Sequence, residues 1–203
     1  MHRMDLTTAR QFAQQASRGG LTALGEILRS LTGGDIYDTY PPGSGISAGA
    51  GTIHKSSVIR LGEIITTRIL IDLTGLESEA TLDDIIGDDG AANCHLGQII
   101  VARNGTILTG RMTCLEAPVG GENDIDLNSA VEGTGVEGAL ITGLTETVLL
   151  AAAADWVIGD VKVLTAFPAD GEFLYLSVGT VTAPIAGTYT AGKFLIELEG
   201  YDA

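Results

Sequence analysis

The chain has 203 residues, of which 45% are hydrophobic and 18% are charged, a balance that predicts a folded protein with one main domain. Its net charge of −15 argues against a nucleic-acid-binding protein, because contacts with phosphates need clustered Lys and Arg. The charge is uneven. The first 33 residues carry four Arg and two acidic residues, net +2, whereas the rest carries 7 basic and 24 acidic residues, net −17.

The first 33 residues predict a helical arm in two segments. Residues 4–18 begin with capping residue types and place apolar side chains on one side, and two glycines at 19–20 then interrupt the pattern. Residues 21–31 form a second short amphipathic segment, whose apolar stripe needs a partner surface because so short a helix is marginal alone. That partner is either the body of the same chain or another subunit. The candidate partner-binding residues of the arm are Leu24, Ile27, Leu28, Leu31, Arg10, Arg18 and Arg29.

The N-terminal segment does not predict secretion or membrane insertion. Residues 1–31 contain no apolar run as long as the core of a signal peptide. The longest apolar stretch, 148–154, is too short to cross a bilayer. We therefore expect a soluble protein that is synthesised in a cytoplasm and has no membrane partner.

Residues 34–51 are rich in Gly, Pro, Ser and Ala and predict a connector that cannot sustain a helix or a central strand. From residue 52 to residue 203 the pattern is that of β-strands. Strands are predicted near 52–60, 63–73, 94–103, 106–116, 137–142, 145–150, 161–167, 172–178 and 192–200. Nine strands with several long connections favour a mainly β fold, an antiparallel β-sandwich of the jelly-roll type.

Two hairpins and one alternating strand are predicted within this region. Asn104-Gly105 indicates a two-residue type I′ turn that joins the strands before and after it. A second hairpin is predicted to join strands 161–167 and 172–178 through a turn at 168–171. In the final strand the alternation places Phe194, Ile196 and Leu198 toward the core.

Two acidic connections, residues 77–93 and 117–136, are predicted loops and candidate binding surfaces. The run Asp124–Asn128 resembles the start of a calcium-binding loop. Ser129 and Gly135 stand where that loop needs glycine and glutamate, so the motif fails. Weak Ca²⁺ binding by these carboxylates stays an open alternative.

Cys94, His95 and Cys114 are the residues to consider for a metal site. If Asn104-Gly105 forms the turn, Cys94 faces Leu115 and His95 faces Cys114. The two thiols then point to opposite sides of the sheet, because neighbouring residues alternate between its faces. We therefore expect reduced structural cysteines, with no disulfide and no shared metal.

Catalytic motifs are not found. The three histidines are His2, His54 and His95, and neither a nucleophile elbow nor a phosphate-binding glycine loop is present. One Trp and few other aromatic residues provide little of the aromatic surface on which a sugar-binding cleft stacks its ligand. Trp156 is expected in the core or an interface. The residues predict a protein that is not an enzyme and has no cofactor.

Four segments resemble virion structural proteins of marine tailed bacteriophages, of the capsid decoration or cement type. They are Ile71–Leu76, Asp84–Gly87, Ala92–Ile99 and Tyr189–Leu198, and the similarity runs over about residues 52–203. The resemblance implies a noncatalytic β-rich protein that is displayed in many copies on the outside of a phage head. It also implies a homotrimer that binds the major capsid protein and stabilises its lattice.

The resulting hypothesis is that the β body decorates the capsid and the arm, residues 1–33, attaches it. The alternative is a head-fibre or host-recognition protein that binds glycans through the two acidic loops. In both hypotheses the protein is made in the host cytoplasm and acts on the virion.

Overall fold

The computed structural model describes the backbone of residues 35–37 and the whole of residues 41–179 and 183–202; the predicted arm, residues 1–33, lies outside these ranges. Twelve strands are present in the described residues. They are β1 (Asp35–Tyr37), β2 (Ile53–Leu61), β3 (Ile64–Asp72), β4 (Glu77–Ser78), β5 (Gly97–Gln98), β6 (Thr106–Val119), β7 (Ile125–Ala130), β8 (Glu146–Leu150), β9 (Val161–Val163), β10 (Phe173–Val178), β11 (Gly187–Thr188) and β12 (Ala191–Tyr201). Helical structure in these same ranges is limited to α1 (Ser44–Ser47), α2 (Val101–Asn104) and a 3₁₀ turn (Ile141–Gly143).

The strands form two main sheets in which all neighbouring pairs are antiparallel. The large sheet has the order β1-β2-β3-β12-β6-β9, and the small sheet has the order β5-β10-β7-β8. Strands β4 and β11 pair separately as a short ribbon.

The strand order is that of a jelly roll. When β3, β5, β6, β7, β8, β9, β10 and β12 are numbered one to eight, the first pairs with the eighth, the second with the seventh, the third with the sixth and the fourth with the fifth. These pairings are those of one long hairpin rolled into two facing sheets. Strands β1 and β2 extend the large sheet beyond β3. The prediction of an antiparallel, jelly-roll-like sandwich is confirmed.

The hydrophobic core lies between the two sheets. Phe194, Ile196 and Leu198 of β12 are fully buried, as the alternation of the final strand predicts. The Trp156 ring packs edge-on against Phe194, with centroids 5.2 Å apart, and its Nε1–H donates to the carbonyl of Ile125 in the small sheet at 2.8 Å. Trp156 therefore joins the two sheets, and its predicted place in the core is confirmed.

The predicted hairpin at Asn104-Gly105 is wrong. Strand β5 pairs with β10, whereas β6 pairs with β12 and β9, and the residues before Gly105 form α2. Asn104 explains the difference, because its buried side chain accepts a hydrogen bond from the backbone N–H of Ile100 and donates one to Thr67 Oγ1. The side chain is thus satisfied at the end of a helical turn instead of at a hairpin tip.

The predicted hairpin between residues 161–167 and 172–178 is also wrong. Strand β9 lies at the edge of the large sheet beside β6, whereas β10 lies inside the small sheet. The segment between them crosses from one sheet to the other, which local sequence cannot distinguish from a turn. The strand predicted at 137–142 is wrong too, because only the 3₁₀ turn lies there, and the strand predicted at 94–103 is reduced to β5.

Two segments predicted without regular structure contribute to the body. Within 117–136, predicted to be a loop, β7 is buried at every position and pairs with β8 and β10. Within 34–51, predicted to be a connector, β1 is an edge strand and α1 packs through fully buried Ile46.

Candidate interaction surfaces

The carboxylates of the second acidic segment are structural. Glu122 is buried; its Oε1 accepts hydrogen bonds from the backbone N–H groups of Asn123 and Asp124, and its Oε2 accepts one from Ile185. The hydroxyl of Tyr189 donates to the Glu122 carbonyl at 2.9 Å. One side chain thereby fixes the segment before β7 to the segment before β11, which leaves it unsuited to binding a ligand.

Two aspartates beside it hold the segment that follows β8. Asp126 Oδ1 accepts the N–H of Ala152 at 2.6 Å, and Asp124 Oδ1 accepts the N–H of Ala154 at 3.2 Å. Both carboxylates are buried, and burial raises the pKa of Asp126 to about 6. The run that resembles a calcium loop is therefore a strand whose acidic side chains bind backbone amides.

The two thiols and the histidines do not come together as a metal site. Cys114 lies on β6 opposite Phe194, and Cys94 lies before β5 in a segment that does not pair with β6, so the predicted register between the cysteines is wrong. Both thiols are free and buried, and burial raises the pKa of Cys94 to about 11. Among the described residues no group of three or more Cys, His, Asp or Glu side chains could hold a metal ion.

His54 and His95 are half-buried and contact neighbouring segments of the fold. His95 lies against the ring of Phe173, with centroids 4.7 Å apart, and burial lowers the pKa of His95. A ring nitrogen of His54, Nε2, lies 2.8 Å from the carbonyl oxygen of Leu96, and burial lowers the pKa of His54 as well.

The outer face of the large sheet carries an ion-pair ladder. Glu197 of β12 lies between Arg68 of β3 and Arg111 of β6; its Oε1 accepts from Arg68 Nε at 2.9 Å and its Oε2 from Arg111 Nε at 2.7 Å. Partial burial opposes ionisation, but the two guanidinium groups hold the pKa of Glu197 below its usual value. A shallow open depression beside the ladder is lined by Thr109, Gly110, Arg111, Val163, Glu197 and Glu199.

An apolar region, which we name the β9 edge, borders this face. It consists of Val161 and Val163 of β9 with Val157 and Ile158 of the preceding turn, all of them exposed. Lys162 points away from solvent, because its Nζ donates to the carbonyls of Ala152 and Ala154 and lies 4.3 Å from the centre of the Trp156 ring. The outward-facing side chains of β9 are therefore its two valines.

A second apolar region, which we name the entry patch, lies at one end of the same face. It consists of Leu61, Ile64, Tyr201 and Leu108. Leu61 pairs with Ile64, Ile64 pairs with Tyr201, and Leu108 lies at an irregularity in the pairing of β6 with β12. These are contiguous exposed apolar side chains, so the patch is a candidate surface for a partner.

The predicted partner-binding residues Leu24, Ile27, Leu28, Leu31, Arg10, Arg18 and Arg29 lie outside the described residues. Sequence reasoning missed both apolar regions. For the β9 edge the available signal was Val161-Lys162-Val163, in which the valines, and not the lysine, face outward.

Within the described ranges, no helix is long and apolar enough to cross a membrane. No protein-family model matches the chain, and no curated protein or solved structure is significantly similar to it. The surfaces are therefore interpreted from their own geometry: acidic side chains that accept hydrogen bonds from backbone amides, and two exposed apolar regions on the large sheet.

Proposed function

We propose that this protein decorates the outer surface of a tailed-phage head and stabilises the lattice of the major capsid protein. The observation that carries the proposal is a jelly-roll body whose buried carboxylates and thiols bind their own backbone, while apolar residues are exposed at the large sheet. Jelly rolls occur in viral capsid proteins and also in lectins, so the fold alone does not select the function. The resemblance of four segments to decoration proteins adds support.

The charge distribution fits a protein that is displayed in many copies. A body with net charge −17 repels other copies in solution and stays soluble. The β9 edge is a region where copies can approach, because its exposed side chains Val157, Ile158, Val161 and Val163 are apolar and uncharged. We propose that the copies form a symmetric oligomer, a trimer according to the resemblance.

The arm, residues 1–33, supplies the attachment. Its arginines suit a partner with an acidic surface, and each contact is weak by itself. In an oligomer several weak contacts act together through effective concentration. A ligand that binds only the assembled lattice stabilises that lattice by mass action.

Deletion of residues 1–33 tests this attachment. We expect the body to keep its β circular-dichroism spectrum and its cooperative melting, and to lose at least about tenfold in affinity for heads, which corresponds to about 1.4 kcal/mol. Cosedimentation of the full chain and the deletion variant with heads that lack the protein measures the loss. Binding of the truncated body at full stoichiometry and affinity would contradict the role of the arm.

Glycan recognition has less support. Of the acidic residues proposed to bind, Asp84, Glu122, Asp124 and Asp126 are buried, and the second segment contains the central strand β7. Specific retention on a glycan array, together with unchanged head stability when the protein is removed, would favour this alternative.

A further inference from the structure

The entry patch exposes more apolar surface than an isolated outward-facing residue. Leu61 is 71% exposed, Leu108 57%, Ile64 47% and Tyr201 37%. Leu61, Ile64 and Tyr201 lie directly opposite one another and share a face of the sheet, and exposed Leu108 lies on the next strand. A contiguous exposed apolar surface of this kind is typical of a binding site.

The patch lies where the chain enters the body. Asp35 of β1 pairs with Arg60, the residue before Leu61, and the strands are antiparallel. Asp35, the first described residue of β1, therefore lies within one strand position of the level of Leu61. The four residue-to-residue steps from Leu31 to Asp35 span at most about 14 Å when fully extended. The apolar stripe of the arm is thus tethered within reach of the patch.

The dimensions of the two surfaces match. The patch crosses β2, β3, β12 and β6, three inter-strand spacings that amount to about 14 Å. A helix over the predicted segment 21–31 would be about 16 Å long at 1.5 Å per residue. Its stripe, which contains Leu24, Leu28 and Leu31, would cover the row of strands along most of that length.

The charges are complementary. Glu63 and Glu199 are exposed at the patch, and Glu63 accepts a hydrogen bond from the Tyr201 hydroxyl at 2.9 Å. The arm carries net charge +2, with Arg29 inside the amphipathic segment. The apolar stripe and Arg29 are therefore complementary in character to an apolar patch that is bordered by carboxylates.

We propose that residues 21–33 of the same chain dock on the entry patch, with Leu24, Ile27, Leu28 and Leu31 against Leu61, Ile64, Leu108 and Tyr201. The tether makes this contact intramolecular, with an effective concentration that another molecule in dilute solution does not reach. Residues 1–18, with Arg3, Arg10 and Arg18, are left to reach a separate partner. The inference goes beyond the proposed function and does not depend on it.

Limited trypsin digestion of the purified full chain tests the docking. Proteolysis of a transiently exposed bond follows the population of the open state, so docking slows cleavage after Arg29. Replacing Leu61→Ser and Ile64→Ser together should accelerate this cleavage by about tenfold or more. Cleavage after Arg3 serves as the internal reference and should not change. Peptide mass spectrometry over time measures both rates.

A matched pair of substitutions controls for a general effect of removing exposed apolar residues. Ile53 and Leu115 are exposed to similar degrees at 46% and 43%, lie on strands of the same sheet, and do not belong to the patch. Ile53→Ser with Leu115→Ser should leave cleavage after Arg29 at the wild-type rate. Leu24→Ser with Leu28→Ser should accelerate it like the patch variant, although the body is untouched.

Three results would overturn the proposal. The first is equal cleavage after Arg29 in the wild type and the patch variant, which would leave the stripe available for the capsid. The second is equal acceleration by the control pair. The third is protection that disappears on dilution of the protein, which would assign the docked arm to another copy. Heads are not used in the experiment, so its outcome is distinguishable from failure of the decoration function.

Discussion

Asp126 is a buried carboxylate in the central strand β7, where it accepts the N–H of Ala152. Because burial raises its pKa to about 6, the folded protein holds a proton between pH 4 and pH 6 that the unfolded chain has released. The free energy of unfolding contributed by this group therefore falls as the pH rises through that window. At neutral pH the ionised group has lost this contribution.

The substitution Asp126→Asn should remove this dependence while keeping an oxygen acceptor for Ala152. We expect the variant to be more stable than the wild type by about 1–3 kcal/mol at pH 8, and the difference to vanish near pH 4. Denaturant unfolding at the two pH values measures it. A variant that is less stable at pH 8 would show that the charge contributes stability.

The thiols should be unreactive in the folded protein. With a pKa of about 11, only about one part in a thousand of Cys94 is thiolate at pH 8, and the buried side chain is also inaccessible to reagents. A thiol reagent at pH 8 should label Cys94 and Cys114 more than about a hundredfold faster in denaturant than under native conditions. If the two cysteines are not labelled in denaturant until a reductant is added, they form a disulfide, and the expectation is wrong.

At the scale of elements, the strands with clear alternation were predictable and their partners were not. The last strand was found because Phe194, Ile196 and Leu198 alternate with polar residues. Strand β7 was missed because Asp126 and Asn128 belong to buried hydrogen bonds that depend on distant segments. Asn104-Gly105 was misassigned for the same reason, because Thr67 on β3 provides the partner that favours a helical turn.

The β9 edge gives a prediction about association. Val163→Lys places a charge on the exposed apolar edge and should weaken self-association by about tenfold, with a change in stability within about 0.5 kcal/mol. Val148→Lys is the matched control, because Val148 is exposed on β8, the edge strand of the small sheet. Sedimentation velocity over a concentration series compares the variants. If both variants associate as strongly as the wild type, the β9 edge is not part of the oligomer interface.

At the scale of the whole molecule, the protein is a rolled sandwich, and the proposed decoration function relies on many copies acting together. Its fold class followed from the number and spacing of strands, whereas its surfaces depend on which edges stay unpaired after the chain has crossed between the sheets. That property is set by long-range pairing, such as β3 with β12, and cannot be deduced from local patterns. The composition of the arm can be determined from the sequence, but the entry patch can be identified only from the three-dimensional structure.

The most direct test of the account is the temperature at which DNA-filled heads release their genome, measured by dye accessibility with and without this protein. Heads from which the protein is absent should open at a lower temperature, and addition of the purified full chain should restore the original value at a fixed ratio to the major capsid protein. An identical release temperature in the presence and absence of stoichiometrically bound protein would contradict the stabilising role.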